Sequence, residues 1–276
     1  MKLNVRNLPV NFEMHGAGRP IVLLPGWTMS AHAMAYLYEP NFAGRQGWKR
    51  YYIDPPGHGA TPGADSITCL DDFLALLLDV IDILAGSEPF ALSGLSLGAY
   101  LARGILHRRQ ENVLGLSMVV PVIIAEDNGR KRAPATVIVQ EPGIMDELAE
   151  DEQDMFSIAV VRTRQFLNGM REMPQPPIGG SGDMEFLDKI RLNPGSYRCS
   201  YAAQSLPRPF PGPTLIVTGR QDASVGYEDA WSILDDYPRA TFVAFDRAGH
   251  LMEEKFDLVH ILMREWLDRV EESTNQ

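Results

Sequence analysis

The chain predicts an α/β fold: a mostly parallel sheet with helices on both faces. Three observations carry this. Short continuous apolar runs closed by glycine or proline, such as Ile21-Val22-Leu23-Leu24 before Pro25-Gly26, have the length and character of strands buried on both sides. Between such runs lie stretches with apolar residues at helical spacing, clearest over residues 68–85. The alternation lapses over residues 121–206 and then resumes, as it would where one strand–helix series carries an inserted segment.

Taken in order, residues 3–14 read as two short strands turning around Asn7-Leu8-Pro9. The strand at 21–24 is followed by a helix through Met34-Ala35-Tyr36-Leu37 and a strand at Arg50-Tyr51-Tyr52-Ile53. Asp54-Pro55-Pro56-Gly57-His58-Gly59 is a turn-rich loop. The helix over 68–85 buries Leu70, Phe73, Leu74, Leu77, Leu78 and Ile81; Thr68 is its expected cap, Asp71 and Asp72 suit its first turn, and Gly86 stops it. Phe90-Ala91-Leu92-Ser93 is a strand, 94–98 a tight turn, 97–107 a helix with Arg108 and Arg109 at its C-terminal end, and 113–120 another buried strand.

The middle region offers helices near 155–170 and 185–191, cut by Pro174-Gln175-Pro176-Pro177 and Gly179-Gly180-Ser181-Gly182. Pro207, Pro209, Pro211 and Pro213 form a stiff return, after which come a strand at 214–218, a helix near 228–236, a strand at 241–245 and a last helix near 256–270. The expected organisation is a core of residues 1–120 and 207–276, with 121–206 inserted as a helical cap.

Composition narrows the function classes. With 276 residues, a net charge of −11 and a pI near 5.0, the chain lacks the basic face of a nucleic-acid binder; its densest basic run, Arg130-Lys131-Arg132, reads as a solvated loop. Cys69 and Cys199 make neither a disulfide framework nor a metal-ligand spacing, and His15, His32 and His260 show no ligand pattern, so no metal or cofactor is expected. The N-terminus has no apolar signal region and no run is long enough to span a bilayer; the expectation is a cytoplasmic protein acting on a small molecule, with no membrane partner and no oligomeric state implied.

The chemistry concentrates at Gly94-Leu95-Ser96-Leu97-Gly98. A serine flanked in this way can sit at the tip of a sharp strand-to-helix turn, its Oγ lifted clear of the sheet and the next N–H, that of Leu97, at a helix N-terminus where anionic oxygen is stabilised. The pentapeptide alone recurs by chance; its place after an apolar strand and before a helix is what the mechanism requires. A hydroxyl needs a base, usually an imidazole oriented by a carboxylate. His250, in Asp246-Arg247-Ala248-Gly249-His250, follows the last strand, and Asp222, in Gly219-Arg220-Gln221-Asp222, follows the strand before it. Parallel strands end on one edge of a sheet, so Ser96, Asp222 and His250 emerge together.

These residues resemble the α/β-hydrolase superfamily over nearly the whole chain. Pro25-Gly26-Trp27 looks like the family's oxyanion loop, with Pro25 where histidine is common; 54–59 looks like its D-x-x-G-x-G turn; and Thr218-Gly219-Arg220-Gln221-Asp222 and Ala248-Gly249-His250 look like its acid and histidine loops. The resemblance implies an eight-stranded sheet, a cap over the active site, and an oxyanion hole made by the backbone N–H groups of Trp27 and Leu97. The family's other acid position follows the strand at 113–120, where Pro121 and Val122 stand, with Glu126 and Asp127 farther on.

On this reading the chain is a serine hydrolase of a carboxylic ester or lactone, needing no cofactor. Carbon–carbon bond hydrolysis is the nearest alternative; Leu251 after His250, where an aromatic is common in such enzymes, argues against it. A haloalkane dehalogenase would need aspartate at position 96. A non-catalytic receptor or scaffold on the same fold is the alternative of a different class. His58 and His107 read as structural. Arg162 and Arg164 could anchor a substrate carboxylate, although helix-face arginines are more often solvated, and Met155, Phe156, Phe166 and Met170 could line an acyl pocket or pack the cap.

Overall fold

A computed structural model describes residues 1–174, 182–201 and 206–274. Its strands and helices, in chain order, are β1 (Lys2–Val5), β2 (Leu8–Gly16), β3 (Arg19–Leu24), α1 (Ala31–Tyr38), β4 (Trp48–Ile53), α2 (Leu70–Leu84), β5 (Phe90–Leu95), α3 (Leu97–Arg109) and β6 (Val113–Val119). Then come β7 (Val139–Gln140), α4 (Glu150–Ile158), β8 (Val161–Arg162), α5 (Arg164–Glu172), α6 (Met184–Arg191) and α7 (Pro194–Tyr197). The chain returns through β9 (Thr214–Gly219), α8 (Tyr227–Trp231), β10 (Ala240–Phe245) and α9 (Phe256–Thr274).

Eight strands form one sheet in the order β1-β2-β4-β3-β5-β6-β9-β10, antiparallel at the β1–β2 and β2–β4 pairs and parallel elsewhere. Every residue of β9 is buried, as are all but one of β3, β5 and β6, so both faces of the central sheet are covered. This is why these strands read as continuous apolar runs instead of alternating ones. Helices α2 and α3 pack together, α3 against β3, β5 and β6; α9 packs on β6 and β9 and reaches the turn after α1. The short β7–β8 ladder stands apart from the main sheet, in the segment between β6 and β9.

Three expectations need correction. The first hairpin turns at Arg6-Asn7, both with positive φ (51° and 64°), and Leu8 and Pro9 already belong to β2. A two-residue turn of this hand matches strand twist, so it wins over the proline signal. The cap of α2 is Cys69, not Thr68; the Asp72 carboxylate folds back to accept from the backbone N–H groups of both. The single helix expected near 155–170 is two, α4 and α5, parted at Ala159–Thr163, where the chain bends at β-branched Val160 and runs extended through β8, and the Thr163 hydroxyl caps α5 by accepting from Phe166 N–H. Of the two breaks read near 174–182, only Pro174 and Gly182 are among the described residues.

Candidate active site

Strand β5 ends one residue before Ser96, and α3 starts one residue after it. Ser96 therefore carries the whole reversal, at φ 51° and ψ −110°, a conformation costly for any residue with a Cβ. It persists because its backbone is held on both sides. Ser96 N–H donates to the Val119 carbonyl (2.9 Å), and its own carbonyl accepts from Ala99, Tyr100 and Val122 (3.1, 3.2 and 3.3 Å). The flanking glycines are required by space: a Cβ on Gly98 would lie 2.1 Å from the Leu24 carbonyl oxygen, and one on Gly94 would lie 2.4 Å from Ala99 N.

That close approach fixes the neighbouring loop. Gly26 backs onto Leu95, and Trp27 follows it at the C-terminal end of β3. The loop is pinned downstream by Asp54, whose buried carboxylate accepts from the N–H groups of Ala31 and Ala60 (2.5 and 2.9 Å) and the Asn11 amide (2.8 Å). Burial pushes the Asp54 carboxyl above its ordinary value, although these donors favour its charged form. The Trp27 ring meets His58 and Tyr197 edge-on, both at 5.5 Å, with the Arg191 guanidinium 5.8 Å from its centroid. Leu97 opens α3, so its N–H is among the first-turn donors that no earlier carbonyl of the helix can take.

The strands bring the three polar residues to one edge. Ser96 Oγ lies 3.0 Å from His250 Nε2, and His250 Nδ1 lies 2.9 Å from Asp222 Oδ2. The other oxygen of Asp222 accepts from the N–H groups of Ser224 (2.7 Å) and Val225 (3.0 Å). Asp222 is almost fully buried, which alone would raise its carboxyl; His250 and the two N–H donors outweigh burial and hold it below its ordinary value. The Ser96 and His250 side chains are only slightly exposed.

The other candidates are occupied elsewhere. Glu126 pairs with Arg198, and Asp127 with Arg130 and Arg132. Val122 and Ile123 are buried, so the position after β6 presents no carboxylate. Arg162 donates to the Ala159 and Ser157 carbonyls, and Arg164 is paired with Glu141 and Glu147. Met155, Phe156 and Phe166 are buried together with Ile144 and Leu167, and Met170 packs against them. His58 is fully buried, donates through Nδ1 to the Pro56 carbonyl (2.9 Å), and has its imidazole pushed down by burial to about 4. No group of three or more metal-ligating side chains occurs among the described residues, and none of their helices is long and apolar enough to cross a membrane.

One residue beside the site escaped the sequence reading. Glu253, three positions past His250, is fully buried and accepts from Gly249 N–H (2.8 Å) and Val160 N–H (2.9 Å). Its only sequence signal was an acidic pair ahead of the last helix, which reads as ordinary first-turn charge.

Comparison with known proteins extends these observations. A structure of an α/β superfamily hydrolase from Oenococcus oeni PSU-1 matches with a TM-score of 0.85 at 23% identity, covering 98% of this chain and 99% of that one. A thermophilic esterase from Thermogutta terrifontis matches at 0.62 and 19% identity, with 98% of each chain covered. A mutant epoxide hydrolase from Bacillus megaterium matches at 0.69 and 16% identity, over 97% of this chain and all of that one (100%). At these identities the likeness is one of fold. None of the curated proteins matches the sequence. A family model described as alpha/beta hydrolase family matches residues 21–259. With that match spanning most of the chain, and with an eight-stranded sheet of the same architecture, the protein belongs to the alpha/beta hydrolase family.

Proposed function

We propose that the protein is a serine hydrolase that cleaves a small-molecule carboxylic ester or lactone through an acyl-enzyme on Ser96. The observation that carries this reading is the unbroken chain from Ser96 Oγ to His250 Nε2 (3.0 Å) and from His250 Nδ1 to Asp222 (2.9 Å), set on a strained turn at a helix N-terminus. His250 takes the Ser96 proton as Oγ attacks the carbonyl carbon. Asp222 keeps the Nδ1–H tautomer and stabilises the imidazolium. The N–H groups of Trp27 and Leu97 receive the oxyanion, the main electrostatic contribution to the step. His250 then protonates the leaving oxygen, activates water against the acyl-enzyme, and returns the proton to Ser96. Residues 121–206 act as the cap that selects the acyl group. Leu251, without an aromatic ring beside the histidine, favours ester over carbon–carbon cleavage.

The test is a panel of p-nitrophenyl esters of graded acyl length, with lactones, on the wild type and Ser96→Ala, together with labelling by a fluorophosphonate probe. Ser96→Ala is expected to lose turnover by about 10⁴-fold or more and to lose the label. A variant that kept near-native turnover would sink the assignment, and a wild type without label or turnover would favour a receptor or scaffold.

A further inference from the structure

The hydrogen-bond chain of the proposed hydrolase ends at Asp222, but the histidine loop is held by a second carboxylate with no part in that chain. Glu253 is fully buried and spends its two oxygens on two backbone N–H groups: Oε2 accepts from Gly249 (2.8 Å), the residue joined to His250, and Oε1 accepts from Val160 (2.9 Å), in the break between α4 and α5. The loop is shaped for this. Met252 and Glu254, on either side of Glu253, both have left-handed φ (52° and 56°), which returns the chain so that the Glu253 side chain reaches Gly249. Glu254 adds a second tie by accepting from the Thr163 hydroxyl, and Leu251 packs against the apolar cluster of Ile144, Met155, Phe156 and Phe166. Residues 249–254 and 158–163 are thus one hydrogen-bonded unit, although about ninety positions separate them.

We propose that Glu253 is a positioning residue: it fixes the backbone that carries His250 and makes the placement of the imidazole depend on the 158–163 segment being docked. This rests on the assignment of Ser96, His250 and Asp222 argued above. A buried carboxylate satisfied by two N–H donors is costly to displace, because either donor left without an acceptor is a buried unsatisfied group. Near-attack geometry is lost over about 1 Å, so a small relaxation of Gly249 reaches the Ser96–His250 contact.

The experiment compares full-length wild type and Glu253→Gln, with active sites counted by fluorophosphonate labelling of Ser96. Glutamine keeps length and volume but has one acceptor oxygen for two N–H groups. The expected result is a kcat per labelled site lower by roughly 10²-fold with KM little changed, the size associated with a 1 Å misplacement. The hydrogen bond from His250 Nδ1 to Asp222 (2.9 Å) should give the wild type a strongly deshielded proton by NMR, and in Glu253→Gln that resonance should broaden or vanish. Wild-type kcat per labelled site and a retained resonance would overturn the proposal, even if melting temperature fell, since a purely structural role lowers the amount of folded enzyme and not its turnover. Should Glu253→Gln not fold, Glu253→Asp carries the same test, because a carboxylate one methylene shorter cannot span both donors. A wild type that neither labels nor turns over would instead remove the underlying triad assignment.

Discussion

Replacing Asp222 with asparagine tests the tautomer logic of the site more sharply than removing it. One oxygen of Asp222 accepts from Ser224 and Val225 N–H (2.7 and 3.0 Å), while the other faces His250 Nδ1 at 2.9 Å. An asparagine has one acceptor and one donor end. Turning its NH₂ toward Ser224 and Val225 would set a donor against two donors, leaving the buried Val225 N–H unsatisfied at about 1–3 kcal/mol and the half-buried Ser224 N–H without its partner. The amide oxygen therefore stays with the two N–H groups, and the NH₂ points at Nδ1. Nδ1 must then accept, so the proton sits on Nε2 and is directed at Ser96 Oγ. That imidazole cannot take the serine proton. The expected loss in kcat/KM is about 10⁴-fold, or about 5 kcal/mol of transition-state stabilisation, with substrate binding nearly intact. Asp222→Ala abandons the same N–H groups but lets the ring choose its tautomer, so Asp222→Asn should be impaired at least as much despite its better fit. The assay is steady-state ester hydrolysis at neutral pH, with the folded fraction checked by near-UV circular dichroism. Asp222→Asn at a tenth of wild-type turnover or better, in a folded protein, would refute the argument.

Two further perturbations probe the scaffold. Gly98→Ala would force a Cβ to within 2.1 Å of the Leu24 carbonyl oxygen and 2.6 Å of that of Pro25, and backbone atoms cannot yield as a side-chain tip can. Urea denaturation should show a loss of about 3 kcal/mol, at the upper end of overpacking, with turnover reduced as the Trp27 loop is pushed away; an unchanged midpoint and kcat would contradict the close approach. His58 predicts an acid dependence: its imidazole is lowered from 6.5 to about 4 in the folded chain, so between these values the unfolded state binds the proton and the folded state does not. The stabilisation is whole above pH 6.5 and is lost as pH falls toward 4, by about 3 kcal/mol. His58→Phe should flatten that limb in a denaturation series over pH, and an identical slope in the two proteins would contradict the burial argument.

The sheet and the three polar residues were legible for a shared reason. Buried parallel strands leave unambiguous apolar runs, and a residue just after such a run must lie at the same edge as its counterparts, whatever the distance in sequence. Ser96 and Asp222 stand in that position; His250 follows β10, a half-buried edge strand that still runs parallel to β9 and so ends on the same edge. The segment between β6 and β9 follows no such rule. Its helices are short and pack partly on one another, so apolar residues at 155, 156, 166 and 170 continued a helical spacing straight through the break at Ala159–Thr163. The signals for the break, β-branched Val160-Val161 and a capping Thr163, were present but locally weaker than the periodicity. Glu253 was illegible in principle, since nothing near it announces that its acceptor role is completed by Val160 N–H, 93 positions away.

The segment between β6 and β9 divides its contacts between the two sides of the candidate site, and this bears on how specificity can change. Its later part meets the Trp27 side: Tyr197 stands edge-on to the Trp27 ring at 5.5 Å, and Asp183 N–H donates to the Gly57 carbonyl (2.9 Å). Its earlier part meets the histidine side through Val160, Thr163 and the cluster around Leu251. On the proposed function, a substitution in the later part strains the loop assigned to the oxyanion, whereas one in the earlier part strains the loop assigned to the base. The two should separate kinetically. Changes near Tyr197 should alter acylation for all leaving groups, through oxyanion placement. Changes near Val160 should fall hardest on esters with poor leaving groups, where protonation by His250 limits the rate. On the function proposed above, one surface both chooses the acyl group and seats the catalytic loops, so the first cannot vary without retuning the second.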